Sequence, residues 1–236
     1  MAIRIIRRRA TAHSAVNKCR IVSVNLGHPE SLELAGKMAV TGINKRAVSG
    51  AVEVTAQGLA GDVIGDPARH GGVDQAVYIF SAEDSQWWAE KMQRAIPPGH
   101  FGENLTIDCW WPDVRIGDRI RAGALLLEIS FPRIPCGTLA VHMGDVHFLK
   151  IFIAARRPGF YARVLAPAAI SAGQSVEIAP APSRFPLAID LFDLWHDAGL
   201  RRQEVLENAL ASPIAQRARK SFDNWLAIAA GATDKK

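Results

Sequence analysis

Cysteine is scarce in this chain of 236 residues: Cys19, Cys109 and Cys136, with no CxxC pair. Three scattered thiols argue against a disulfide framework and a cysteine zinc site, and point to a reducing cytoplasm. Long apolar runs are also missing, since Ala122–Leu127 and the alanine-rich tail fall far short of a membrane-spanning helix. Acids are absent before Glu30, while Arg4, Arg7, Arg8 and Arg9 concentrate the basic excess of a chain with net charge +5. Such an opening can mimic a transit peptide, but no cleavage signal follows, and Ile3, Ile5 and Ile6 among the arginines read as a first strand or arm with a solvated face. A basic chain also suits nucleic acid, yet no helix-turn-helix, RNP-like aromatic run or basic repeat is present. An anionic small ligand fits the sign equally well. Neither GxGxxG nor GxxxxGK[ST] occurs, and there is no flavin, haem or iron–sulfur motif.

Two textures are present instead. Up to about residue 180, short β-type runs alternate with Gly, Pro and Asp turns, which predicts a barrel or sandwich. The strands fall at Ile21–Asn25, Ala51–Thr55, Ala76–Phe80, Leu105–Asp108, Asp118–Arg121, Leu125–Ser130 and Ser175–Ala179. Ser81 with Asp84 opens a helix through Trp87, Trp88 and Met92, and Asp145 caps a second over Val146–Arg156, with Phe148, Ile151, Phe152 and Ala155 on one face. After Pro180-Ala-Pro182-Ser three apolar stripes at helical spacing follow, the last starting from Ser212 with Pro213 at the first helical position. The chain divides into a barrel domain, residues 1–182, and a three-helix extension, residues 183–236. The extension carries no cluster of catalytic groups and reads as a packing or docking module.

Chemistry concentrates in Phe131-Pro132-Arg133-Ile134-Pro135-Cys136-Gly137. Proline fixes φ and lacks a donor N–H, so Pro132 and Pro135 end the preceding strand and put Cys136 on a stiff loop. Arg133 favours the thiolate, which binds soft metals or attacks sulfur, and can clamp an anion. A lone cysteine is more often inert core, so the reading rests on its company. That company is Gly58-Leu-Ala-Gly61-Asp62 and His70-Gly71-Gly72-Val73-Asp74, where glycines let backbone N–H groups approach a phosphate or heterocycle. Phe101-Gly102-Glu103-Asn104-Leu105 adds an amide at Asn104.

Together with Thr41-Gly42-Ile43-Asn44-Lys45, Ile116-Gly117-Asp118 and Gly159-Phe160-Tyr161-Ala162-Arg163-Val164-Leu165, these motifs resemble, in order, the MOSC domain, named for the C-terminal domain of molybdenum-cofactor sulfurase. The tail looks like the three-helix extension of the family's stand-alone bacterial subgroup, which is associated with resistance to N-hydroxylated base analogues. The resemblance implies a mainly β fold with α, a mixed β-barrel followed by three helices, that binds molybdenum cofactor (molybdopterin). Cys136 would be the catalytic residue and molybdenum ligand. Lys45, Arg133 and Arg163 would serve the phosphate and pterin, with Asp62, His70, Gly71, Gly72 and Asn104 completing the cofactor site. The implied activity is reduction of N-hydroxylated compounds such as hydroxylaminopurines, with electrons from a separate donor protein. A sulfur carrier loaded by a separate cysteine desulfurase is the alternative, and a non-enzymatic barrel binding nucleic acid lies outside the family. Two positions depart from the family pattern: Phe131 stands where Gln is frequent, and Gly137-Thr138 where a bulkier or basic pair follows the cysteine.

Overall fold

The computed structural model describes residues 19–34, 36–109 and 113–231; the arginine-rich opening lies outside them. In chain order the strands are β1 (Cys19–Gly27), β2 (Glu30–Leu34), β3 (Lys37–Thr41), β4 (Lys45–Val48), β5 (Val52–Thr55), β6 (Gly58–Leu59), β7 (Val77–Ser81), β8 (Leu105–Ile107), β9 (Arg119–Ala122), β10 (Leu125–Pro132), β11 (Phe160–Ala166), β12 (Ala168–Ile170) and β13 (Ser175–Ala179). The helices are α1 (Pro67–His70), α2 (Ala82–Met92), α3 (Gly137–Met143), α4 (Phe148–Ala155), α5 (Ala188–His196), α6 (Gln203–Leu210) and α7 (Gln216–Ala229).

Seven strands close on themselves in the order β13-β9-β10-β11-β7-β8-β1, with β1 pairing back to β13 and β4 continuing from β1. β7 and β8 run parallel and the other barrel pairs antiparallel, so the barrel is mixed. Closure removes the free edges that a sheet of this size would otherwise expose. Residues that alternate inward, such as Ile21, Leu127, Ile129 and Ala162, are buried in the core. All seven expected strands form. β11 does too, although it was not among them, and its alternation of buried Phe160 and Ala162 with half-buried Tyr161 and Arg163 is the period-two signal that marks it.

Some boundaries move. β10 runs to Pro132, which sits opposite Phe160 at the strand end, where a missing N–H disrupts nothing further. Ser81 caps α2 as expected, accepting from the Asp84 N–H. Ile151 of α4 is exposed, and that helix packs through Phe148 and Phe152 instead. The last helix begins at Gln216, three residues after Pro213.

Cys19 and Cys109, two of the scattered thiols that argue against a disulfide framework, do form a disulfide. Sheet register explains it. Ile21 faces Ile107 across the antiparallel β1–β8 pair, so two residues further out Cys19 and Cys109 face each other. A pairing across a sequence separation of 90 is invisible until the strands are aligned. With this bond the step from sparse cysteine to a reducing compartment loses its premise. Among the described residues no single helix is long and apolar enough to cross a membrane.

The C-terminal helices lie against the barrel. Leu191, Leu194, Leu206, Ile214 and Phe222 belong to one apolar cluster with Ile129 and Phe131 of β10. A second cluster, aromatic, gathers Phe80, Trp88, Phe101, Phe148 and Phe152, and Ile134 and Cys136 of the cysteine loop pack against it.

Candidate functional site

β10 delivers the thiol. Past Pro132 the strand direction continues for one residue, because Arg133 N–H donates to Gly159 O at 3.3 Å, and the chain then turns into α3 with Cys136 in extended conformation at its N-cap position. Cys136 is half-buried and lines a cavity of about 960 Å³, at the upper end of small-ligand sites. Burial alone would raise its pKa. A hydrogen bond from His70, the Arg133 guanidinium and the Leu139 N–H outweigh that effect and bring the thiol from the ordinary 9.0 down to about 6. At neutral pH Cys136 is therefore a thiolate, the form that ligates soft metals and attacks sulfur.

Arg133 is buried, 5% exposed, with its guanidinium 5.6 Å from the ring centres of both Tyr78 and Phe152. Burial works against its charge, but Tyr78, Tyr161 and Cys136 more than restore it. Its Nη1 is buried without a hydrogen-bond partner, although Arg133 also bonds Tyr161. Tyr78 and Tyr161, the chain's two tyrosines, face each other across β7 and β11 with ring centres 5.2 Å apart. Both line the cavity.

Thiolate formation should be visible in the rate of Cys136 alkylation, which should rise through a midpoint near pH 6 and level off by about pH 7.5. The folded pKa lies below the unfolded one, so the contribution to stability is complete above 9.0 and is lost as pH falls through about 6. His70→Ala should move the midpoint upward. A wild-type midpoint near 9 would show an unactivated thiol.

The remaining expected residues divide. Lys45 and Asp62 line the cavity but are spent on each other: both are buried, and Lys45 Nζ contacts both Asp62 oxygens, the longer contact being 2.6 Å. Burial lowers the Lys45 pKa despite that pair. Asp62 also accepts from Gly27 N–H at 2.7 Å and Asn104 Nδ2 at 2.8 Å, while Asn104 Oδ1 accepts from Tyr78 N–H at 3.1 Å. Asn104 thus fastens β7 to the Asp62 loop, and its amide is occupied at both ends.

His70 lines the cavity at the end of α1, which Asp66 caps. Gly71 and Gly72 do not line it. Gly72 serves the turn instead, with φ +89, a conformation that side chains disfavour. Arg163 is also outside the cavity, held by Asp74 at 2.8 Å and Glu128 at 3.0 Å. The expectation that Lys45, Arg133 and Arg163 converge on one anion is corrected accordingly: in β11, Arg163 falls opposite Glu128 of β10, and that acid claims it.

Sequence reasoning passed over part of the wall. Trp195 of α5 and Ala215, Arg217 and Ala218 at the start of α7 line the cavity. Trp195 was legible only as one residue of an apolar stripe, and Arg217 carried no signal at all. The departure at Phe131 belongs with them. Its ring stands edge-on to Trp195 at 5.6 Å and to Phe222 at 6.0 Å, so here the tail covers a position that a polar side chain often fills.

The family model described as the MOSC domain matches residues 66–177, a span that includes both His70 and Cys136. YflK of Bacillus subtilis (strain 168) is 36% identical over 159 residues, covering 67% of this chain and 72% of that protein. This chain belongs to the MOSC family. A second MOSC relative, YiiM of Escherichia coli (strain K12), is 30% identical over 159 residues, covering 65% of this chain and 70% of that protein. A protein of Gibberella moniliformis (strain M3125 / FGSC 7600) named as a reductase is 31% identical over 172 residues, 69% of this chain but 29% of its own length. The crystal structure of YiiM from Geobacillus stearothermophilus superposes with a TM-score of 0.73 at 26% identity, covering 88% of this chain and 99% of that one. E. coli YiiM superposes at 0.68 with 22% identity, over 92% and 96%, a likeness of fold. The family match ends at residue 177, while the likeness of fold to the Geobacillus YiiM structure covers 88% of this chain.

Proposed function

We propose that this MOSC protein binds molybdenum cofactor and reduces N-hydroxylated compounds, with Cys136 as the molybdenum ligand and a separate protein as electron donor. The observation that carries the reading is a thiolate at neutral pH opening into a large cavity beside the orphaned Nη1 of Arg133. The donor set fits this cofactor. Among the described residues no group of three or more His, Cys, Asp or Glu could hold a metal ion, so an ion bound here would have to bring most of its own ligands. A molybdenum held by the dithiolene of a pterin does so and needs one soft protein ligand.

When bound, the cofactor supplies the two-electron redox centre. The chain supplies the rest. Arg133 and His70 keep Cys136 deprotonated, Arg133 Nη1 offers a donor to an anionic or polar group of the ligand, and Tyr78 and Tyr161 close the cavity behind the arginine. The net change is R–NHOH plus two electrons and two protons to R–NH2 and water. The reductase name of the Gibberella relative supports this direction.

The low thiol pKa equally suits a persulfide carrier loaded by a separate cysteine desulfurase, which is the second reading. Protein made in cells competent for cofactor synthesis decides between them. The reductase reading expects molybdenum and pterin in equal amounts per chain and oxidation of an added electron donor that depends on an N-hydroxylated substrate. Protein without molybdenum or pterin would defeat it, and a cyanide-labile sulfur on metal-free protein would favour the carrier.

A further inference from the structure

The cations on the cavity wall are not equivalent. Lys45 is neutralised by Asp62, Arg69 pairs with Asp66 at 3.6 Å, and Arg133 attends the thiol. Arg217 remains. It is exposed, lines the cavity, and makes one hydrogen bond, from Nη1 to the backbone oxygen of Arg69 at 2.7 Å; among the described residues no carboxylate pairs with it. That bond uses one of five guanidinium donors and leaves the fork able to bind an anion.

Its position is firmly set. Ala215 N–H donates to Ser130 O at 3.1 Å in β10, Gln216 N–H to Asp74 Oδ2 at 2.7 Å, and Arg217 itself to Arg69. Three consecutive residues are thereby tied to three separate parts of the barrel domain, and Asp74 is itself held by Arg163. Next to Asp74, Gln75 lines the cavity with its Oε1 buried and without a partner, an acceptor left for a ligand N–H. Trp195, half-buried and also lining the cavity, is braced edge-on by Phe131 and by Trp225 at 5.3 Å and offers a flat aromatic surface.

We infer that the C-terminal helices build the substrate subsite of this cavity, taking a planar N–H-bearing aromatic ring at Trp195 and Gln75 and an anionic substituent of that ring compound at Arg217. This rests on the reductase reading for the fate of the ligand, not for its binding. The substrate class is an N-hydroxylated heterocycle carrying a phosphate or carboxylate, in preference to the neutral heterocycle.

Equilibrium binding to the full chain tests the subsite without turnover. The probes are adenosine 5′-monophosphate against adenosine, 6-aminonicotinate against 6-aminonicotinamide, and inorganic phosphate alone, so that both members of each pair carry an N–H. Wild type should prefer the anionic member of at least one pair by about tenfold, as one charge-assisted contact allows, and bind inorganic phosphate far more weakly. Whichever pair shows the preference identifies phosphate or carboxylate. Arg217→Gln should abolish the preference, leave the neutral partner's affinity unchanged, and leave molybdenum and pterin content unchanged. Arg217→Lys should retain part of it, and Trp195→Leu should weaken both members of the pair.

Equal binding of charged and neutral probes by wild type, or a preference that survives Arg217→Gln, overturns the inference. Loss of pterin in Arg217→Gln also overturns it, because the arginine would then belong to the cofactor. Failure of the cofactor reading is separate, since it would appear as wild-type protein lacking molybdenum and pterin while the probe preference persisted.

Discussion

Cys136→Ser should abolish molybdenum retention and turnover while leaving the thermal melt close to wild type. A hydroxyl fills similar space but ionises and ligates a soft metal far less readily than a thiol. Changes to groups that merely orient a metal ligand cost about 10- to 100-fold, so loss of the ligand itself should cost at least roughly 100-fold in activity. The side chain is half-buried at the cavity wall, so its removal opens no core void. Cys19→Ser and Cys109→Ser are unsuitable as neutral controls, because the two sulfurs are bonded and either change breaks that link. Wild-type molybdenum, pterin and turnover in Cys136→Ser would make the thiol structural and sink the central assignment. Retained molybdenum with loss of a cyanide-labile sulfur present in wild type would put the carrier reading first.

Asp62→Ala should be the most destabilising single change near the site. It strands the buried Lys45 ammonium and the Gly27 N–H, and leaves Asn104 Nδ2 only its 3.5 Å bond to Asn25 O. Removing one partner of a buried pair costs about 3–5 kcal/mol, which for a chain of this size is a fall in Tm of roughly 10 °C. The pair is dry enough for that figure to apply, the two side chains being 7% and 6% exposed. The measurement is a melt at two salt concentrations, since a buried pair is poorly screened and the deficit should persist at high salt. A change in Tm of only 1–2 °C would mean that the loop is held by other contacts.

The barrel was legible because period-two alternation and turn residues are local, and the resemblance to the MOSC family added order to them. Cys136, Arg133 and His70 were legible as a composition: a soft ligand on a proline-stiffened loop, a guanidinium three residues before it and an imidazole beside paired glycines. Partner choice was not. Lys45 and Arg163 look like free cations in the sequence, and only the sheet register and the Asp62 turn reveal their carboxylates. The Cys19–Cys109 bond and the reach of Arg217 into the cavity depend on residues far apart in the chain, 90 positions in the first case and 148 between Arg217 and Arg69 in the second. No local pattern encodes such distances.

The ties from residues 215–217 to Ser130, Asp74 and Arg69 bear on the order in which the molecule is made. β13 closes the barrel at Ala179, and at roughly 5–20 residues per second several seconds of translation pass before α7 emerges. A barrel that folds in that interval would hold Cys136 in a cavity still lacking Ala215, Arg217 and Ala218. A ligand reaching Cys136 in that interval would not yet meet Arg217, so the order of synthesis as well as affinity bears on what the cavity first admits.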